Sequence, residues 1–297
     1  AERPLLILTL YCGENEYPLQ LEALSHQTFT NFEQVFFSYM PNAEAHKKLY
    51  KTIMENQTRF EYFLKLDADM VPSRPTAIGE MIDFAMARPE VDHFLFRLHD
   101  FFTGRLMPAL HLFSNRVYWE QTTDSMFVDP DPLIPGKRLK YSDDPVPFVT
   151  HAPDPSEAQS FQFGVHRGLK AFQPDRADRQ IGAIRTQFEV LSDVFDCWQR
   201  HGDRRRLLVI AGADMVAKGR ISTHDGYKLG ERVDDLFRTT AQRSTEAITA
   251  ELAPFWFRPW RRRLRLWQAT GIRGVGYRRR KKLRKALGHR RNRTSSA

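Results

Sequence analysis

Along the first seventy residues, short apolar runs alternate with stretches whose apolar positions recur at helical spacing. Leu5-Leu6-Ile7-Leu8-Thr9-Leu10-Tyr11 is continuously apolar and β-prone, the pattern of a strand buried on both faces. A polar loop over Cys12 to Tyr17 follows. Pro18 to His26 carries Leu19, Leu21, Ala23 and Leu24 and predicts a helix. Glu33 to Ser38 predicts a second strand, Ala43 to Asn56 a second helix and Phe60 to Leu66 a third strand. This alternation predicts an α/β fold: a mostly parallel sheet with helices on both faces. Arg74 to Arg88 reads as a further helix and His93 to His99 as a further strand. Phe101 to Pro155, rich in Pro and Asp, reads as long loops with short strand-like pieces, the kind of segment that covers a site. Pro155 to Ala171, Ile184 to Arg200, Leu207 to Lys218 and Asp234 to Leu252 read as helices. The expected organisation is an α/β domain over residues 1–175, a helical extension over 176–254 and a tail over 255–297.

Charge sharpens the last boundary. The chain carries 45 Lys and Arg against 36 Asp and Glu, a net of +9. Sixteen of the basic residues and no acidic one lie between Arg258 and Arg293, so the rest of the chain is mildly acidic. In the tail, Phe255, Trp256, Phe257, Trp260 and Trp267 interleave with Arg258, Arg261, Arg262, Arg263 and Arg265. Rings at headgroup depth and cations on anionic lipid suit a membrane surface. Nucleic acid is the competing partner for such a pattern, and a solvated tail is the alternative for Arg278 to Ala297. No apolar run approaches the roughly 20 residues that span a bilayer, and the start shows no secretory pattern. Cys12 and Cys197 read as free thiols of a reducing compartment. These features predict a cytoplasmic protein, peripheral on the inner face of the cell membrane.

The sharpest chemical signal is Asp67-Ala68-Asp69, directly after the apolar run Phe63-Leu64-Lys65-Leu66. Ligands of open α/β sheets bind outside the carboxyl ends of the strands. Two carboxylates one residue apart at such an end can share one hard cation, Mn²⁺ or Mg²⁺, whose other ligands are substrate phosphates.

Further elements combine with that triplet. Asn15-Glu16 follows the first strand, Ser25-His26-Gln27-Thr28 closes the first helix, and Asn31-Phe32-Glu33 opens the second strand. With Asp67-Ala68-Asp69 in its place, this order resembles the N-terminal half of a family 2 glycosyltransferase of the GT-A fold. The resemblance covers roughly the first 155 residues. It implies a metal-dependent enzyme that moves a sugar, with inversion, from a nucleotide-sugar donor to an acceptor hydroxyl. With the tail, it implies surface polysaccharide or lipid-linked glycan synthesis. Asp67 and Asp69 are then donor and metal ligands. The chain departs from the family at the second strand's end, where Ser38-Tyr39-Met40-Pro41 stands in place of an Asp-Asp-Gly-Ser-like sequence that helps to hold the base. Thr9, Tyr11, Glu14 and Glu16 are the candidates for nucleoside contacts, Tyr11 through its ring face.

For the carboxylate that takes the acceptor proton, Asp124 is the first candidate, with Asp129 and Asp131 as rivals. His151, ending Pro147-Phe148-Val149-Thr150, is the candidate third metal ligand; His166 and His224 are weaker ones. Two other classes stay open. A nucleotidyltransferase uses paired carboxylates too, but carries a Gly-rich basic loop where Cys12-Gly13-Glu14-Asn15 stands. A membrane-bound scaffold with an inactive transferase fold is the non-enzymatic alternative.

Overall fold

The computed structural model describes residues 4–120, 126–129, 131–140, 147–174, 176, 179–225, 228 and 230–256. Asp124 and residues 257–297 of the tail lie outside them. The chain opens β1 (Leu5–Tyr11), α1 (Tyr17–Ser25), β2 (Phe32–Ser38), α2 (Asn42–Glu55) and β3 (Tyr62–Lys65). It continues with β4 (Met70–Pro72), α3 (Ala77–Met86), β5 (Val91–Asp100), β6 (Arg105–Ser114), β7 (Lys137–Lys140) and β8 (Val149–His151). Five helices follow: α4 (Glu157–Phe172), α5 (Ile181–His201), α6 (Arg204–Ala217), α7 (Glu231–Ala241) and α8 (Thr245–Trp256).

The strands form one sheet in the order β2-β1-β3-β6-β5-β8-β4, with β7 pairing β5 off this path. The α/β class is as expected, but the sheet is mixed rather than mostly parallel. The β1/β2, β1/β3, β5/β7 and β5/β8 pairs are parallel; β3/β6, β5/β6 and β4/β8 are antiparallel. The source is β6, which falls in a segment expected to be loop. A tight turn at Gly104, with φ 63°, returns the chain from β5 into β6, and this β-hairpin feeds antiparallel pairing to both neighbours.

Alternation along β1 explains its unbroken apolar run. Leu5 and Ile7 pack with Leu64, Leu112 and the Ile78, Met81 and Ile82 of α3. Leu6 and Leu8 face the other way, onto Phe63, Phe113 and the Leu49, Tyr50 and Ile53 of α2. Each such side chain gains about 1.5–3 kcal/mol from burial. Helices therefore cover both faces, as expected.

The later helices make a third cluster around Phe161, Val165, Leu191, Val209 and Trp256. Its tightest crossing is α4 on α6. A Cβ at Gly164 would stand 1.9 Å from the Val209 carbonyl oxygen, and one at Gly212 2.3 Å from that of Phe161. Asp203 caps α6, its carboxylate accepting from the amides of Arg205 and Arg206 at 2.8 and 3.3 Å. Phe255 and Trp256 correct the tail boundary. They end α8, and Trp256 is 1% exposed, donating to Asp214 at 3.3 Å.

Candidate functional site

A cleft of about 710 Å³ opens over the carboxyl ends of β1, β2 and β3. Leu10, Phe37 and Lys65 line its sheet side, Asn42 and His46 come from α2, and Phe163, His166 and Arg167 come from α4. Asp67, Asp69 and His151 lie in the same wall.

Backbone pairing carries the Asp67–Asp69 turn past the end of β3. The amides of Leu66 and Ala68 donate to Leu8 and Leu10, and that of Met70 closes the turn on the Asp67 carbonyl at 2.8 Å. Gln20, fully buried on α1, donates to the carbonyls of Asp67 at 2.7 Å and Met70 at 2.8 Å. Gln34 of β2 bridges Gln20 and the Thr9 hydroxyl. Antiparallel pairing of β4 with β8 places Met70 opposite His151, and the Ala152 amide donates to the Asp69 carbonyl at 2.6 Å.

This pairing brings His151 Nε2 to 3.4 Å from Asp69 Oδ2. On the far side of the ring, Nδ1 lies 2.6 Å from Asp100 Oδ1, and Asp100 is fully buried with Thr103 donating to its other oxygen. Burial works against charge on His151, yet Asp69 and Asp100 outweigh it and raise its pKa to about 10. Burial likewise opposes ionisation of Asp69, and the His151 charge overrides it, holding Asp69 at about 2. The two groups therefore stand as an ion pair. An imidazole whose Nδ1 is held by a carboxylate and whose Nε2 faces a cleft has the orientation of a metal-ligating histidine.

Whether a cation fits is tested by the oxygens left over. Asp67 Oδ1, Asp69 Oδ1 and Glu16 Oε1 are buried and accept no hydrogen bond, in a fold where buried polar atoms are normally paired. Among the described residues, no three carboxylate, imidazole or thiol groups converge as a ready-made cage. Mn²⁺ and Mg²⁺ do not need one; they bind through one or two carboxylates with phosphate oxygens completing the shell. The donor set fits such a cation.

The other expected residues separate by position. Glu14 lines the cleft, accepts from the Cys12 amide at 2.6 Å and pairs with Lys228. Thr9 is fully buried and occupied by Gln34. Tyr11 packs between Tyr17 and Tyr39, at 4.4 and 5.3 Å between ring centroids. Neither Thr9 nor Tyr11 contributes to the cleft wall. Glu16 is fully buried, and Gln159 donates to it at 2.8 Å. Its pKa is lifted to about 7, by burial first and by the Asp69 charge. Asn15 beside it binds Gln159 and Asp154, so the Asn-Glu pair clamps the start of α4 to the loop after β1. Asp131 is 82% exposed in an ion pair with Arg138. Asp129 reaches the cleft and is engaged by Tyr50, His46 and Lys65. His166 and His224 also line the cleft, and burial, then Lys170 and Arg167, keep His166 well below the usual histidine range. Cys12 and Cys197 are both free thiols.

Lys65, Gln20, Asp100 and Gln159 were not singled out from the sequence. Lys65 was within reach: it sits two residues before Asp67, so alternation puts both side chains on one face of the sheet. Asp100 and His151 meet only through parallel pairing of β5 with β8, 51 residues apart.

No family model and no curated protein matches this sequence. Among solved structures, the chain is similar to TarS of S. aureus, at 11% identity and a TM-score of 0.35 over 92% of this chain and 55% of that one. It is also similar to a glycosyltransferase involved in glycosylation of the major capsid of PBCV-1, at 16% identity and a TM-score of 0.25. That match covers 37% of this chain and 60% of the other. This chain thus spans less than two thirds of both, and likeness at this level bears on neither activity nor substrate. No helix among the described residues is long and apolar enough to cross a membrane.

Proposed function

We propose that this chain is a metal-dependent glycosyltransferase that takes a nucleotide-sugar donor in the cleft and passes the sugar to an acceptor hydroxyl. The observation that carries the reading is the Asp67–Asp69 turn itself. It projects two carboxylates with unpaired buried oxygens into a cleft at a strand's carboxyl end, with His151 aimed at the second of them. Asp67, Asp69 and, once its Nε2 proton is displaced, His151 would hold Mn²⁺ or Mg²⁺, and the cation when bound would neutralise charge on the departing diphosphate. Gln20 fixes the turn from behind, and Asp100 fixes the imidazole.

Inversion requires a carboxylate within reach of the acceptor hydroxyl, and Asp124 remains the candidate. Asp131 faces solvent, and Asp129 is too firmly held as an anion to take a proton readily. The acceptor we favour is a surface polysaccharide or lipid-linked glycan, met at the cytoplasmic face of a membrane that the basic tail grips. Nucleic acid is not favoured as the tail's partner.

Calorimetry with a panel of nucleotide sugars, with and without Mn²⁺, tests the reading. At least one donor should bind in the metal's presence and release its sugar to a glycan acceptor, and Asp69→Ala should abolish both. Failure of every donor to bind in a metal-dependent way would sink it.

A further inference from the structure

β2 ends the sheet on one side and β4 on the other. The two edges differ. β4 is three residues long and carries Pro72, so it offers a neighbouring strand almost nothing to pair with. β2 is seven residues long, and its register with β1 runs from Leu5↔Phe32 to Tyr11↔Ser38 without a bulge. It contains no Pro and no Lys, and its single charge, Glu33, is paired with Arg59. Shortness, Pro, Lys and bulges, which keep open edges single, are thus all missing from β2.

Backbone parity shows which groups this edge presents. The Leu5 amide donates to the Asn31 carbonyl and the Tyr39 amide to the Tyr11 carbonyl, so parallel pairing spends the odd-numbered residues of β2 on β1. The amides and carbonyls of Gln34, Phe36 and Ser38 then point away from β1, and no strand among the described residues meets them. The side chains of Gln34 and Phe36 rise on the α1 face, where Gln34 binds Thr9 and Gln20 and the Phe36 ring lies 5.7 Å from that of Tyr17. Phe36 remains 38% exposed there.

Such an edge is complementary to itself. Laid antiparallel about a two-fold axis at Val35, two copies bring Gln34 of each opposite Phe36 of the other, and Phe32 opposite Ser38. Outward donors then meet outward acceptors along the whole strand. Glu33 falls opposite Phe37, so the two carboxylates do not face each other. The two Phe36 rings become diagonal neighbours on one face, within reach of each other. The carboxyl ends of the two β2 strands, which lead into the Met40 and Pro41 wall of each cleft, point in opposite directions, so the clefts lie at opposite ends of the joint.

We propose that this chain forms a symmetric homodimer through β2, its two sheets joined edge to edge about Val35. The proposal is independent of the reaction assigned to the cleft.

Analytical ultracentrifugation of the full chain from about 1 to 100 µM should show a monomer–dimer equilibrium. Phe36→Lys puts two ammonium groups at the diagonal contact and should raise the dissociation constant at least about tenfold, with the far-UV circular dichroism unchanged. The register has its own test in a Cys12→Ser background, where the remaining thiol, Cys197, is buried. Opposed residues that share no hydrogen bond stand about 4.5 Å apart between Cα atoms, within disulfide reach, and Val35 faces itself in such a pair. Val35→Cys should therefore give a covalent dimer on mild oxidation. The two Ser38 residues lie at opposite ends of the joint, so Ser38→Cys should not. A single monomer species across the concentration range would overturn the proposal, as would a dimer that Phe36→Lys leaves as tight as before. Cross-linking of Ser38→Cys as fast as Val35→Cys would place the dimer in another register or on another surface and overturn it too.

Discussion

Gln20 shows how a residue with no chemistry of its own can set a site. Its amide donates to both carbonyls that flank the Asp67–Asp69 turn, and Gln34 holds the amide's oxygen. Gln20→Leu keeps the helix and the volume but leaves two buried carbonyls without donors. The expected cost is about 1–3 kcal/mol in stability. Metal-dependent donor affinity should fall on the order of tenfold, since the turn is then free to misplace both carboxylates. Denaturant titration and donor calorimetry read the two effects separately; unchanged donor affinity would show that the turn holds itself. Gln20 also marks the limit of what residues disclose alone. Asp67 and Asp69 were legible because an unusual triplet followed an apolar strand. Gln20 looks like any polar residue on a surface helix, and its partners lie 47 and 50 residues away. Thr9 and Glu16 flank the site in sequence, and the fold turns both inward.

Elements were more legible than their partners. The β1-α1-β2-α2-β3 order follows from spacing alone, because β1 is apolar on both faces and β2 and β3 carry the apolar runs Val35-Phe36-Phe37 and Tyr62-Phe63-Leu64. β6 escaped notice because Pro108 interrupts it. Pro108 lies opposite Arg97, where the register of β5 and β6 shifts, so the missing amide falls at an irregularity and not in a regular ladder. The reading of Asp234 to Leu252 as one helix missed the break between α7 and α8. Arg204, from the start of α6, donates to the Ala241 and Arg243 carbonyls at 2.8 and 3.0 Å and stabilises that break. Ser244, whose hydroxyl accepts from the Ala247 amide, was the local sign of a new helix start. The α4–α6 crossing gives a sharp prediction. Gly164→Ala drives a methyl into the Val209 carbonyl and should destabilise the fold by about 3 kcal/mol. Gly182→Ala meets nothing within 4 Å and should be neutral or stabilising by up to about 1 kcal/mol in the same melts. Equal effects would mean that the crossing is looser than described. The α6–α8 contact carries a pH signature. Hydrogen bonds from Lys218, at 2.7 Å, and from Arg243 hold Glu251 at about 2, below its ordinary value of 4.5. A depressed carboxylate contributes stability above its unfolded pKa and loses it as pH falls through the folded one. Glu251→Gln should therefore cost about 1 kcal/mol at pH 7, a figure reduced for solvent screening. The gap from wild type should close between pH 4.5 and 2 in denaturant midpoints, and a gap that stays constant would assign the loss to packing.

At the scale of the molecule, charge divides the chain just after α8. Up to Trp256 the chain is mildly acidic; from Arg258 to Arg293 it carries sixteen cations and no anion. An acidic body does not bind an anionic surface by itself, so attachment would have to come from the tail. Each cation near anionic lipid is worth roughly 1 kcal/mol, which a partial engagement of sixteen makes ample at low salt. The structure dictates where to cut. Removing residues from 255 onward would take away Trp256, which packs against Phe195 at 6.5 Å between ring centroids, and would damage α8 along with the tail. A chain ending at 256 keeps the helix and removes the sixteen cations together with Phe257, Trp260 and Trp267. Full-length protein should float with vesicles containing phosphatidylserine and be released as salt rises, because exposed charges are screened beyond about 8 Å at 0.15 M. The shortened chain should stay at the bottom of the gradient with its melting temperature unchanged. Flotation on neutral phosphatidylcholine alone would shift the weight from the arginines to Trp260 and Trp267, and equal flotation of both chains would remove the tail from membrane binding.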